Sequence, residues 1–299
     1  MGGLFIIKYN KVSLDKILNV FVISALFQAV IGIFQFALNS SLGLNILGET
    51  LLSTDLKNIA KITFGDNQHI RAYGLFRHPN IMAMFLSVST LFLLQLKKKF
   101  KGNTILMYLL LFILILATII TFSRSAIIAL TLATTFLVLK TSKKKALSII
   151  FIGIFISVLV LISLYSKYLL ADSSAIWERL QYIEIAKEMI FTNPLGVGIA
   201  QFTQQMQNFS EIKLLPWQIQ PVHNFYLLMI SETGLLGLIF LVIGLWSLIN
   251  RVLRKPKGMR HFSLALLVFL LVVSIFDHYF LTSYQAQATL LISAGVILR

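Results

Sequence analysis

"PVHNFYLLMISETGLLGLIFLVIGLWSLINRVLRKPKGMR", residues 221–260, is a long apolar run with a histidine and an asparagine at its entrance and basic residues behind its exit. From His223 to Ile249 the only formally charged residue is Glu232, and roughly 20 apolar residues suffice to cross a bilayer as helix. The stretch therefore predicts a membrane span. The cluster Arg251, Arg254, Lys255, Lys257 and Arg260 then assigns its exit to the cytoplasmic side, where lysine and arginine accumulate.

The same pattern recurs along the chain. Apolar stretches at about 17–38, 80–96, 104–122, 124–140, 146–166, 223–249, 261–281 and 284–299 predict about eight spans. The 299 residues are 58% hydrophobic and 12% charged, whereas about a quarter of a soluble domain is charged. The fold class expected is an all-α polytopic membrane protein, with residues 1–299 forming a single integral-membrane domain. A closed barrel would need an alternating pattern that the spans lack. Residues 1–16 place three lysines before a helix long enough to stay in the membrane, unlike a cleavable signal. With no cysteine, disulfides and thiolate-bound metals are excluded.

The formal charge of +15 invites a nucleic-acid reading, but its distribution opposes one. With the N-terminus inside, the inner segments (8–16, 97–101, 140–145, 251–260 and Arg299) hold 17 of the 26 basic residues and one acid, Asp15. The basic excess is thus the positive-inside bias of a membrane protein. It needs no polyanionic partner.

Two long segments, 39–79 and 167–222, are then extracytoplasmic, and loops of this length usually carry function. Within the second, "SSAIWERLQYIEIAKEMIFTNP" (173–194) predicts an amphipathic helix, N-capped by Ser173 or Ser174 and ended by Asn193-Pro194. Its apolar positions Ile176, Leu180, Ile183, Ala186 and Ile190 place it along the outer membrane surface.

Several polar residues run against the charge bias. Arg124, in "TFSRSA" (121–126), sits at the outer tip of a helical hairpin, where it either snorkels to water or offers a planar, permanently charged fork. "HIRAYGLFRHPN" (69–80) brings Arg71, Arg77, His78 and Asn80 to the entrance of the next helix, with Pro79 in its first turn and an anion-favouring helix end beside them. Arg179 lies on the amphipathic helix. His223, with Asn224, opens the sixth span and is either a structural residue or a proton acceptor. Together, several arginines and one histidine on one side read as a site for an anionic group plus a general base, because arginine pairs bidentately with phosphate. No histidine and carboxylate spacing suggests a metal site. Glu232 falls nine residues after His223, roughly 13 Å deeper along a helix, and reads as a structural hydrogen-bonding residue near Gly234 and Gly237, which allow close helix approach. Asp277 and His278 fall near the outer end of their span, where they could border the site.

At these residues the sequence resembles the O-antigen ligase and polymerase family of bacterial envelopes. The pieces "RAYGLFRHPNIMAMFL", "TFSRSA", "ERLQYIEIAKEMIFTNPLGVGIAQF", "VHNFYLLMISETGLLG" and "DHYFLTSYQAQ" occur in the family's order over about residues 70–290. The resemblance implies a metal-independent membrane glycosyltransferase without a cofactor, in the bacterial cytoplasmic (inner) membrane, with its active site outside. Its donor would be a polyprenyl-diphosphate-linked glycan, and its acceptor a hydroxyl of a glycan, a lipid A core or a protein. By motif, the histidine that activates the acceptor is His223, and the arginines that hold the diphosphate are Arg179 with Arg124 or Arg71. Arg77, His78, Asn80 and Asn224 join them as expected substrate-binding residues. Family members carry further spans before the first one here, which implies a short or truncated form. The competing class is a transporter or flippase of lipid-linked glycans, whose binding groups usually gather near the midplane at broken helices.

Overall fold

The computed structural model describes residues 13–64, 66–100, 102–141 and 173–299. The span expected at 146–166 lies outside them. Ten α-helices are described: α1 (Leu14–Leu38), α2 (Pro79–Gln95), α3 (Thr104–Ile120), α4 (Arg124–Thr141), α5 (Ser173–Thr192), α6 (Phe202–Gln205), α7 (Phe225–Leu253), α8 (Lys257–Phe276), α9 (Tyr279–Thr282) and α10 (Tyr284–Leu298). By length and composition four of them, α1, α4, α7 and α8, can cross a membrane. The helices α2, α3 and α10 are apolar but shorter.

The main core joins α1, α2, α3, α4, α8 and α10. Its centre is α2, apolar all round and buried on most of its surface, as a helix surrounded by others must be. The lysine-rich ends gather at one end of this bundle: Lys99 pairs with Asp15 at 3.1 Å, and His261 feels the charges of Arg260, Lys257 and Lys140.

The opposite end is built from connections. Segment 39–78 folds over it with a short antiparallel hairpin, β1 (Lys61–Phe64) against β2 (Asn67–Ile70). Gln35, buried near the end of α1, holds this segment down. Its amide donates to Glu49 Oε1 (2.7 Å) and Gly74 O (2.9 Å) and accepts from Gly74 N (2.8 Å). Buried polar groups are tolerated only when paired in this way.

The amphipathic helix expected at 173–194 is α5, and Asn193-Pro194 follows its end. From Tyr182 to Met189 its apolar face meets protein rather than lipid. Tyr182, Ile185, Ala186 and Met189 are buried in a second, smaller core with Phe202, Met206, Val222 and Leu228.

Helix α7 is not straight. It meets α8 at a tight turn, where Lys255 N donates to Val252 O (3.1 Å), yet Tyr226 Oη donates to Leu271 O (3.0 Å). A straight α7 would carry Tyr226 roughly 40 Å from that turn, whereas Leu271 lies roughly 21 Å from it along α8. Two straight arms cannot close that gap, so α7 must break. The break is at Gly234, whose φ of 66° and ψ of −159° are non-helical. The loop after α5 fills it: Val197 N donates to Ser231 O (2.9 Å), Gly198 N to Glu232 O (3.0 Å), and Leu235 N to Pro194 O (2.9 Å). The freed backbone groups are thus satisfied by backbone.

This corrects the reading of the glycines and of Glu232. Gly234 admits a loop, not a helix, and Gly237 faces Thr233 of its own helix. Glu232 keeps the structural role expected of it, accepting from Phe202 N at 3.4 Å, but the break removes the simple depth relation to His223. A Cβ at Gly234 would lie 2.3 Å from Leu195 C, and one at Gly196 would lie 2.4 Å from Glu232 O. These neighbours are backbone and no rotamer relieves them. Gly234→Ala and Gly196→Ala are each expected to destabilise the protein by about 2–5 kcal/mol, read as a lowered thermal midpoint in detergent. Gly244→Ala, with no atom within 4 Å, should leave that midpoint unchanged; equal behaviour of all three would refute the packed break.

Candidate active site

The tip of the α3–α4 hairpin leaves carbonyls without helical partners, since Phe122 turns the chain with φ 50°. The segment entering α2 takes them up. Ala72 N donates to Ile120 O (3.1 Å) and Arg71 Nε to Thr121 O (2.5 Å). Arg71 Nη2 also donates to Asn80 Oδ1 (2.6 Å), and Asn80 Nδ2 donates to Asp277 Oδ1 (3.2 Å). Ser125 Oγ, in the first turn of α4, donates to Asp277 Oδ2 (2.5 Å). Asp277 thus ties the ends of α2, α4 and α8 together and fixes Arg71 through Asn80. Burial lowers the Arg71 pKa to about 10, opposed by Tyr73, Tyr279 and Asp277, so the guanidinium stays charged at neutral pH. Burial pushes the Asp277 carboxyl up, while the bonds from Ser125 and Asn80 and the charges of Arg179 and Arg71 pull it down.

Three histidines stand beside this network. His78 caps α2, its Nδ1 accepting from Asn80 N (3.2 Å), and its ring lies 5.3 Å from that of Tyr279. His278 Nδ1 lies 2.7 Å from Thr282 Oγ1. The His223 ring stands edge-on to His278 at 5.2 Å and near-parallel to Tyr182 at 6.2 Å. Burial lowers His223 to about 4, and the Arg179 charge adds to the shift. Burial also lowers His78 and His278 to about 3, with Arg71 and His223 among the neighbours that disfavour their protonation. All three are neutral at pH 7. Among the described residues, His223 Nδ1 and Tyr182 Oη are buried without a hydrogen-bond partner.

The arginines share one field. Arg124 repels Arg71 and is repelled by Arg179. Arg179 in turn acts on His223, His78, Asp277 and Tyr279. Arg124 and Arg179 are exposed. The two ion pairs among the described residues, Lys99–Asp15 and Lys187–Glu184, involve neither of them. Exposed cations that form no ion pair attract anions.

Of the residues singled out in the sequence, Arg71, Arg124, Arg179, His78 and His223 are brought together. Asn80 has both ends of its amide engaged and positions Arg71. Asn224 caps α7 through Leu227 N (2.9 Å) and donates to Ile275 O (2.9 Å), a scaffold role. Arg77 is exposed and takes no part in the Arg71–Asn80–Asp277 chain. Thr121, Ser125, Tyr182 and Tyr279 were not singled out, although the first two stand inside "TFSRSA". No three His, Asp or Glu side chains among the described residues group as metal ligands.

A family model described as O-antigen ligase matches residues 109–242, from within α3 to the middle of α7, and includes Arg124, Arg179 and His223. Over this stretch the chain is similar to the O-antigen ligase family. No curated protein and no solved structure matches the chain. The match and the apolar helices support a membrane protein of O-antigen and polysaccharide biosynthesis, and the matched family implies a glycosyl-transfer enzyme with glycan and lipid-linked substrates. Arg71, His78, Asn80, Asp277 and His278 lie outside the matched stretch, and folding groups them with Arg124, Arg179 and His223.

Proposed function

We propose that this chain transfers a glycan from a polyprenyl diphosphate to an acceptor hydroxyl at the extracytoplasmic face of the cytoplasmic membrane, without a metal ion. The carrying observation is the linked field of Arg71, Arg124 and Arg179, the last of which acts directly on a His223 held neutral. His223 takes the proton from the acceptor hydroxyl as the oxygen attacks the anomeric carbon. The bond from that carbon to the diphosphate oxygen breaks, and polyprenyl diphosphate leaves with the electron pair. Arg124 and Arg179 stabilise the charge that develops on it, in the way preorganised cations lower such barriers. Arg71, locked by Thr121 and Asn80, contributes fixed positive charge.

A groove of about 1310 Å³ supports a lipid-borne donor. It is lined by Leu111, Ile115 and Ile119 of α3 and Ile127, Leu130 and Leu137 of α4, and it reaches Arg71 and Arg124 at one end and Lys97 and Met259 at the other. A polyprenyl tail in this groove would present its diphosphate to the arginines. About eight spans, with 39–79 and 167–222 outside, belong to the same proposal, supported by the lysine clusters lying at the end opposite Arg71 and His223. The acceptor is a hydroxyl of a glycan, a lipid A core or a protein.

Transport of the intact lipid-linked glycan is less well supported. Broken transporter helices expose backbone groups to substrate, whereas the groups freed at Gly234 are occupied by Val197, Gly198 and Pro194. Because arginines supply the charge a metal would otherwise provide, transfer by the purified protein should survive excess EDTA. Loss of transfer on chelation, restored by magnesium or manganese, would reject the metal-free arrangement.

A further inference from the structure

The loop that fills the α7 break carries apolar side chains with no protein to cover them. Phe191, at the end of α5, and Leu195 and Ile199 in the loop are each 78% exposed. The backbone beneath them is clamped to Ser231, Glu232 and Leu235, so their position relative to α7 is fixed. That position matters because the exposure of α7 changes at the same point. No residue from Phe225 to Gly234 is exposed, whereas Leu235, Leu236, Ile239, Phe240, Ile243 and Trp246 are. The lipid-facing surface of α7 therefore begins at the break and continues onto the loop. One and two turns earlier on α5, Lys187, Glu188 and Glu184 are exposed to water.

We infer that Phe191, Leu195 and Ile199 form a wedge seated in the lipid leaflet on the His223 side of the membrane. Its partner is the headgroup–acyl boundary, where an apolar edge flanked by charged residues is stable. The wedge anchors the far end of α5, twelve residues or roughly 18 Å from Arg179. It thereby sets the height of Arg179 and Tyr182 over a lipid-borne substrate. This consequence rests on the transfer reading; the insertion does not.

The chain has no native cysteine, so single cysteines at 191, 195 and 199, with Glu184→Cys as the water reference, can each carry an NBD fluorophore. The labelled proteins are reconstituted, without substrate, into phosphatidylethanolamine–phosphatidylglycerol vesicles. Lipids brominated close to the headgroup should quench positions 195 and 199 severalfold more than position 184, and iodide should quench them severalfold less. Position 191 should fall between. If positions 195 and 199 match position 184 with both quenchers, the wedge is refuted whether or not the protein transfers glycan.

Discussion

His223→Ala is expected to lower transfer about 10²–10⁴-fold, the usual cost of losing a general base, while the protein stays folded and binds donor. Donor binding survives because the diphosphate is assigned to arginines, none of which bonds to His223. The substitution strands no protein partner of the ring's Nδ1, which has none among the described residues. The pH profile gives an independent readout. Burial and Arg179 hold the free His223 near 4, so the basic form predominates above that value. The plot of kcat/KM should therefore stay level from neutral pH to about pH 5 and fall as His223 protonates below it. Bound diphosphate offsets the Arg179 charge, so the acid limb of kcat should lie higher than that of kcat/KM. A folded His223→Ala protein with near-normal turnover would end the assignment, leaving His223 as a helix-entrance residue.

The second large effect is expected at Arg179. Arg179→Ala should reduce kcat about 10²–10³-fold if the guanidinium stabilises the departing diphosphate, as loss of one such donor does elsewhere. Arg179→Lys keeps the charge but loses the two-point fork. It should fall in between, at about 10–10²-fold, the worth of one charge-assisted hydrogen bond. The graded order matters more than either value. Arg179 is exposed and pairs with no carboxylate among the described residues, so a purely solvated side chain predicts no change in either variant. Measured turnover and KM per folded molecule separate the two readings.

The membrane-spanning character was legible because apolar length records the thickness of a bilayer, and the entrance of α2 because Pro79 suits only a first turn. The arginines and His223 stand out in the sequence through their motifs, and the structure groups them. What each polar side chain had left to offer was not. Asn80 and Asn224 were expected to bind substrate, yet Asn80 is used up between Arg71 and Asp277, a partner 197 positions away. No local pattern encodes that pairing. Ser125 escaped notice because hydroxyls in apolar helices usually bond back to their own turn, as Thr131 does with Ile127 O. Gly234 was read as a site of close approach, which is correct physically. That the approaching element is the loop 193–199 follows only from the backbone geometry, because a glycine inside an apolar run fits an unbroken helix equally well.

The most direct measurement follows the fate of the lipid carrier. Purified protein in vesicles is given a polyprenyl-diphosphate-linked glycan, with a second lipid-linked glycan or lipid A core as acceptor. Free polyprenyl diphosphate and the lengthened or newly capped acceptor are then quantified together. The expected result is equimolar release of polyprenyl diphosphate and formation of the glycosylated acceptor, both abolished by His223→Ala and both insensitive to EDTA. Recovery of the donor with its glycan still attached, moved to the opposite leaflet or not at all, with either acceptor, would contradict glycan transfer at this site.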